Sequence, residues 1–246
     1  AAPEPVELPF LPGRVVMQWD KDDVEDLGIV KIDLLGLGML AALAEARELV
    51  PAHSGVPFDL HTLPADDPAT YDLITRGDTV GVFQIESRAQ MAILPRTQPR
   101  TFYDLVVQVG LIRPGPIIGD MVHPYLKRRA GREPVRYVHP SLEPVLSRTL
   151  GIPLFQEQIM RVAMIAGGFS GGQADELRRA MGGKHGAEKM AAMVAALRAG
   201  MAARGISGAA ADEIVQQITS FAAYGFPESH AISFAYLTYA SAYLKA

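Results

Sequence analysis

A mainly α fold with a small β portion at its N-terminal end is what this sequence predicts, and three observations predict it. Beyond residue 37, stretches of helical length follow one another with Pro or Gly at nearly every join. Short β-branched runs gather near the start, at Val15–Trp19 and in Ile29–Asp33 (IVKID). Finally, 49% hydrophobic and 20% charged residues over 246 positions allow a substantial core, while no run of about 18 apolar residues is present to span a membrane.

Taken in order, residues 1 to 13 are rich in Pro and read as an extended lead-in. The two β-branched runs read as strands, with the acidic DKDDVEDLG between them as a turn or short helix ended by Gly28. From Leu34 the pattern becomes helical and is expected to stop at Pro51. Asp67 followed by Pro68 predicts an N-cap with Pro at the first helical position, and Gly77 closes that helix. TVGVFQI, residues 79 to 85, reads as a brief strand. Helices are then expected around 86–94, 101–112, 119–130, 141–149, 155–167, 171–181, 187–204, 209–223 and 228–245. A boundary near residue 37 separates a scrap of mixed β structure, whose strands need partners from elsewhere, from a self-contained helical domain. The first residue is not Met and SFAYLTYASAYLKA still reads as helix at Ala246, so a piece of a longer protein is expected.

No Cys is present, which removes disulfides and thiolate metal sites and suits a reducing, cytoplasmic setting. The formal charge of -4 hides an asymmetry. Residues 1 to 95 carry 6 basic and 16 acidic side chains, whereas residues 96 to 148 carry 9 and 4, with KRRAGREPVR at Lys127 to Arg136. Such a block can neutralise phosphates; a solvated surface face is the bland alternative. Lys31 and Asp33, two apart in a strand, would share a face where the carboxylate can bind a divalent ion and the ammonium can meet phosphate. From that spacing alone, an ordinary amphipathic strand with a surface ion pair is the favoured reading. The acidic cluster Asp20, Asp22, Asp23, Glu25 and Asp26 fails the calcium-loop template, since Val24 stands at the fifth position and no Gly follows as required. In SGGQADELRRAMGGKHGAEKM, Arg178 and Arg179 fall about two turns into a helix, where an Arg fork suits phosphate oxygens and ion pairs with Asp175 and Glu176 are the alternative. Adjacent arginines leave at most one pointing straight at a ligand, the other reaching round or binding a neighbour.

The wording QWDKDDVEDLGIVKIDLLGL, GVFQIESRAQM, GLIRPGPI, PLFQEQIM, LRRAMG and YGFPESHAISFA, in that order, closely resembles the bacterial C-family DNA polymerases, the DNA polymerase III alpha subunit family. That resemblance implies a palm remnant of nucleotidyltransferase type over residues 1–37 and a helical fingers domain over 38–246. It implies DNA-templated nucleotidyl transfer with two magnesium ions, Asp33 being the third catalytic aspartate and a metal ligand and the other two lying upstream of this chain. It implies Lys31, Arg178 and Arg179 as nucleotide contacts, and Arg113, Lys127, Arg128, Arg129, Arg132 and His230 as DNA contacts. Lys184 and Lys189 stand where residues 182 to 211 depart from the family's wording. PLFQEQIM is read as core packing, and His230 without its motif as a structural histidine. The implied partners are primer-template DNA and deoxynucleoside triphosphates, with a sliding clamp and mutagenesis accessory proteins reached through other regions, and no membrane.

GFPESH, Gly225 to His230, is similar to the error-prone paralogues that act in translesion synthesis and DNA repair, where replicative subunits commonly carry Asn and Lys in place of Pro227 and Glu228. Glu228 near a polyanion weakens attraction and Pro227 stiffens the helix start, so a looser grip and lower fidelity are expected. Two other readings stand beside this one: a replicative alpha subunit, or a helical module that only binds DNA or a partner. By itself the chain is not expected to polymerise, because one aspartate cannot organise two metals.

Overall fold

The computed structural model describes residues 6–7, 12–13, 15–16, 18–30, 32, 34–112, 119–180, 186–221 and 226–246. Lys31, Asp33, Arg113 and Lys184 lie outside the described residues. Backbone proximity divides the chain into two compact units, Ala1–Leu35 and Gly36–Ala246.

In the first unit, β1 (Val6–Glu7) pairs antiparallel with β2 (Val15–Val16), Val6 opposite Val16. The first strand lies in what reads from sequence as an extended lead-in; within Val15–Trp19, Val15 and Val16 are strand and Gln18 and Trp19 are not. Helix α1 (Lys21–Asp26) follows. Its start is held reciprocally: the Asp23 amide donates to Asp20 Oδ1 at 2.9 Å and the Asp20 amide to Asp23 Oδ2 at 3.3 Å. The acidic cluster therefore caps a helix. Ile29, Val30 and Ile32 are not in a strand, contrary to the expectation for IVKID. The reason is physical: a strand needs a ladder partner and a surface to bury, and Val30 is 82% exposed with none of this unit's described residues buried.

The second unit is built from helices. They are α2 (Leu37–Ser54), α3 (Pro68–Thr75), α4 (Arg88–Thr97), α5 (Phe102–Leu111), α6 (Gly119–Arg129), α7 (Glu143–Leu146), α8 (Gln156–Gly167), α9 (Gly171–Ala180), α10 (Gly186–Ala203), α11 (Gly208–Phe221) and α12 (Glu228–Lys245). Short 3-10 turns flank α7 at Pro140–Leu142 and Ser147–Thr149, so the stretch expected around 141–149 is one tight compound helix. Helix α2 runs through Pro51 and ends at Gly55. Pro51 sits in the last turn, where its missing amide costs one hydrogen bond while its carbonyl still accepts from Gly55. Asp67 caps α3 as its sequence predicts, its carboxylate accepting from the Thr70 amide at 2.8 Å.

TVGVFQI forms turns and no strand. Gly81 and Gln84 both take positive φ, which no strand tolerates, and the Thr79 hydroxyl donates across the loop to the Ile85 carbonyl. Val82 and Ile85 are fully buried, so this apolar content plugs the core.

One core joins α3, α4, α5 and α6 to α12 through Ile74, Leu94, Leu105, Val106 and Ala235. A second joins α8 to α11 and the compound helix through Leu142, Ile159, Leu177, Leu197 and Ile218. Leu43 of α2 packs with Phe58 and Leu237 on another side of α12. Phe155, fully buried, reaches so close to α5 that only Gly fits at position 110. The Gln156 amide next to it donates to the Phe226 carbonyl at 3.0 Å, tying α8 to the start of α12.

Candidate nucleic-acid interface

The basic block begins in the last turn of α6. That turn ends in a Schellman closure: the Gly131 amide donates to the Arg128 carbonyl at 3.0 Å and the Arg132 amide to the Lys127 carbonyl at 2.8 Å. Gly131 supplies the positive φ the closure needs. Lys127 and Arg132 are both exposed and are joined backbone to backbone. Arg128 and Arg129 are engaged by the protein. Arg128, its side chain only 10% exposed, donates from Nη1 to the Leu150 carbonyl at 2.7 Å and pairs through Nε with Glu133 at 3.3 Å. Arg129 donates from Nε to the Thr97 carbonyl and from Nη2 to the Gln98 carbonyl, both at 2.9 Å, and pairs with Asp104 at 3.0 Å. Arg136 pairs with Glu213. Three basic residues of this block thus tie the fold together.

On α9, Arg178 and Arg179 both hold Asp175, each through Nη2 at 2.8 Å. The Ser170 hydroxyl accepts from the Gln173 amide at the start of this helix. The expectation that neighbouring arginines diverge meets a simple geometric answer: Asp175 lies three residues before one and four before the other, and both positions face it. The Arg178 fork, with Arg179 beside it, holds the Asp175 carboxyl below its usual range. Both forks stay accessible, Arg179 at 74%. Glu176 takes no part in these ion pairs.

At the start of α12, the His230 ring lies between Phe226, which it meets edge to face, and Phe234, to which it is tilted, with ring centroids 5.3 and 4.0 Å away. Glu228 accepts from the Tyr103 hydroxyl at 2.6 Å, and its own amide donates to Glu157 Oε2 at 2.8 Å. The Arg148 guanidinium lies over the Tyr103 ring, 4.5 Å from its centroid. Tyr103, Arg148, Asp104 and Glu157 carry no sequence signal as partners of these motifs. Long-range packing alone brings them there.

Among the described residues, the bonds of the basic turn, of the α9 arginines and of His230 do not connect with one another, so the candidates form three separate places along one helical unit. Among those residues, too, no group of three or more His, Asp or Glu side chains could hold a metal ion. Among the described residues, no helix is long and apolar enough to cross a membrane.

Residues 39–205 match the model of the bacterial DNA polymerase III alpha subunit finger domain. The chain belongs to that family. The finger-domain assignment agrees with the helical architecture and covers the basic turn and both α9 arginines. Curated relatives extend the similarity across the chain. A protein named "Error-prone DNA polymerase" from Anaeromyxobacter dehalogenans is 58% identical over 250 residues, covering 98% of this chain and 22% of its own length. Proteins of the same name from Nocardia farcinica and Methylococcus capsulatus are 56% and 54% identical, each over 98% of this chain and 21% and 23% of their own lengths. The chain therefore spans about a fifth of the length of these relatives.

Proposed function

We propose that this finger domain works as part of an error-prone bacterial DNA polymerase, with residues 1–37 as the end of its palm. The supporting observation is the similarity to relatives of that name, which covers 98% of this chain. In this reading the longer protein carries out DNA-templated nucleotidyl transfer in translesion synthesis, in the cytoplasm, on primer-template DNA and deoxynucleoside triphosphates.

Asp33 supplies one carboxylate to the metal site and Lys31 meets nucleotide phosphate. Two magnesium ions would need further carboxylates beside Asp33; when bound, they would favour attack by the primer hydroxyl and departure of pyrophosphate. The residues of this chain bind and orient. Arg178 and Arg179 grip triphosphate oxygens, exchanging an exposed partner, Asp175, for a more highly charged one. Exposed ion pairs contribute only about 0–1 kcal/mol, so that exchange is cheap. Arg113 and the basic turn with Lys127 and Arg132 track the DNA backbone. His230 contacts DNA at the start of α12, its ring held between Phe226 and Phe234. A sliding clamp and accessory proteins are engaged by other regions.

Primer extension by the full-length protein, with magnesium and four nucleotides, tests this. Asp33→Ala should abolish extension while primer-template binding persists. Arg178→Ala with Arg179→Ala should mainly raise the apparent KM for nucleotide. Normal extension by Asp33→Ala would leave a DNA-binding module as the better reading.

A further inference from the structure

The four cations of the turn closing α6 face two ways. Lys127 and Arg132 are exposed, and the Schellman closure holds the Arg132 amide on the Lys127 carbonyl at 2.8 Å. Arg128 and Arg129 each commit Nε and one terminal nitrogen to groups of the protein, backbone carbonyls and the carboxylates of Glu133 and Asp104, and these bonds fix where each guanidinium lies. Arg128 bonds the Leu150 carbonyl, and its Nη1 lies 2.9 Å from where a Cβ would stand at Gly151, so its seat requires that glycine. Arg129 grips the end of α4 at two carbonyls and the cap of α5 at Asp104. Asp104 is itself fixed, because its Oδ2 also accepts from the Arg100 and Thr101 amides at 2.9 and 3.0 Å.

The ground under Arg129 is rigid as well. Thr97, whose carbonyl it holds, donates its hydroxyl to Gln108 Oε1 at 2.8 Å; Gln108 donates to Gln90 Oε1 at 2.6 Å, and Gln90 to the Ile112 carbonyl at 3.1 Å. All three side chains are buried. The plainer account is that Lys127, Arg128 and Arg129 merely complement the negative end of the α6 dipole. That account asks only for positive charge and leaves unexplained why two of the three are locked in multidentate seats.

We infer that the basic turn divides its work: Lys127 and Arg132 contact nucleic-acid phosphates, while Arg128 and Arg129 are positioning residues that hold the turn against α4, α5 and the Leu150 loop. This rests on the DNA-binding reading above.

The two roles differ in salt dependence. Removing a phosphate contact lowers the slope of log affinity against log salt by about 0.7–0.9 per contact, whereas removing a positioning bond weakens binding at every salt without changing the number of phosphates neutralised. They also differ in tolerance of Lys, which keeps the charge and loses the fork. The experiment is titration of primer-template DNA with the full-length protein across a series of salt concentrations, using Lys127→Ala, Arg132→Ala, Arg129→Lys and Arg128→Lys, with melting temperatures alongside. Lys127→Ala and Arg132→Ala should each lower the slope. Arg129→Lys should weaken binding about two- to tenfold, the equivalent of one net hydrogen bond, with the slope unchanged. Arg128→Lys does the same through an independent seat and serves if Arg129→Lys lowers melting. Wild-type affinity in both Lys variants, or a reduced slope in either, overturns the division of labour. If neither Lys127→Ala nor Arg132→Ala changes affinity or slope, the DNA interface itself is misplaced and the inference falls with it.

Discussion

The Tyr103 hydroxyl donates to Glu228 Oε1 across 2.6 Å, linking α5 to the first turn of α12 over 125 positions of sequence. Read from the sequence alone, Glu228 is a charge turned toward DNA. The structure gives it a partner inside the fold, and this changes what a Glu228 substitution reports. A Lys there removes the acceptor and sets an ammonium near Arg148, which lies on the Tyr103 ring. Tyr103→Phe should cost about 1–2 kcal/mol and Glu228→Lys about 2–3 kcal/mol of unfolding free energy. The double mutant should fall short of the sum by about 1 kcal/mol or more. Additive losses in urea unfolding would show that the two groups are not coupled.

The same pair sharpens the fidelity question. Replacing Pro227 and Glu228 by Asn and Lys should lower misincorporation by the full-length protein if charge is the cause. Tyr103→Phe then separates the two explanations, since it removes the bond and keeps the Glu charge. Equal misincorporation in Tyr103→Phe and the double swap assigns the effect to packing; no change in the double swap ends the charge explanation.

Alkaline pH should destabilise this chain in a defined window. Burial, with Asp104 adding to it and Arg129 opposing it, pushes the Tyr125 phenol up to about 12. Tyr71 and Tyr103 move in the same direction, again chiefly through burial. An unfolded tyrosine releases its proton near pH 10, so above that value the folded chain retains protons that the unfolded chain has lost. The stabilisation is complete below about pH 10 and falls as pH rises from there toward 12. Urea unfolding at pH 9, 10 and 11 should show this loss, and Tyr125→Phe should make it shallower. An identical slope in Tyr125→Phe removes Tyr125 as a contributor.

Where α8 and α10 meet, a Cβ at Gly200 would stand 1.8 Å from the Gly167 carbonyl oxygen. Backbone cannot step aside as a flexible side chain does. Gly200→Ala should therefore cost about 3 kcal/mol or more by forcing the helices apart. Gly172→Ala, in α9 with nothing within 4 Å of its added carbon, should instead be neutral or stabilising by up to about 1 kcal/mol. Comparable losses at both positions would contradict this close crossing.

Gln90, Gln108 and Thr97 form a buried chain in which each amide satisfies the next. Gln108→Leu leaves the Gln90 oxygen without its donor and should cost about 2–3 kcal/mol. Replacing Gln90 and Gln108 together by Met removes the stranded Gln90 oxygen, leaving only the Ile112 carbonyl without its side-chain donor, and should cost less than Gln108→Leu alone. Denaturant midpoints in the opposite order would refute the network.

Much of this fold was open to inspection in the sequence, because helix limits are set locally. Asp67 and Pro68, Gly77, Thr101, Gly131 and Gly168 act on backbone a few residues away, and the helices fall close to where such punctuation puts them. The basic block and the α9 arginine pair were legible for the same reason. Partners contributed by distant segments were not. TVGVFQI has the composition of a strand, yet it folds as a turn whose Val82 and Ile85 fill the core between helices. IVKID has that composition too, and its described residues find no ladder to join. The charge of KRRAGREPVR is a property of the sequence, but the division between two exposed cations and three engaged arginines depends on carbonyls and carboxylates as distant as Leu150, Thr97, Asp104 and Glu213. The sequence by itself determined where the helices begin and end, since hydrogen bonds four residues apart decide that. Only the tertiary structure decided which charges remain free for a ligand, because that depends on groups brought within about 3 Å by packing across the whole unit.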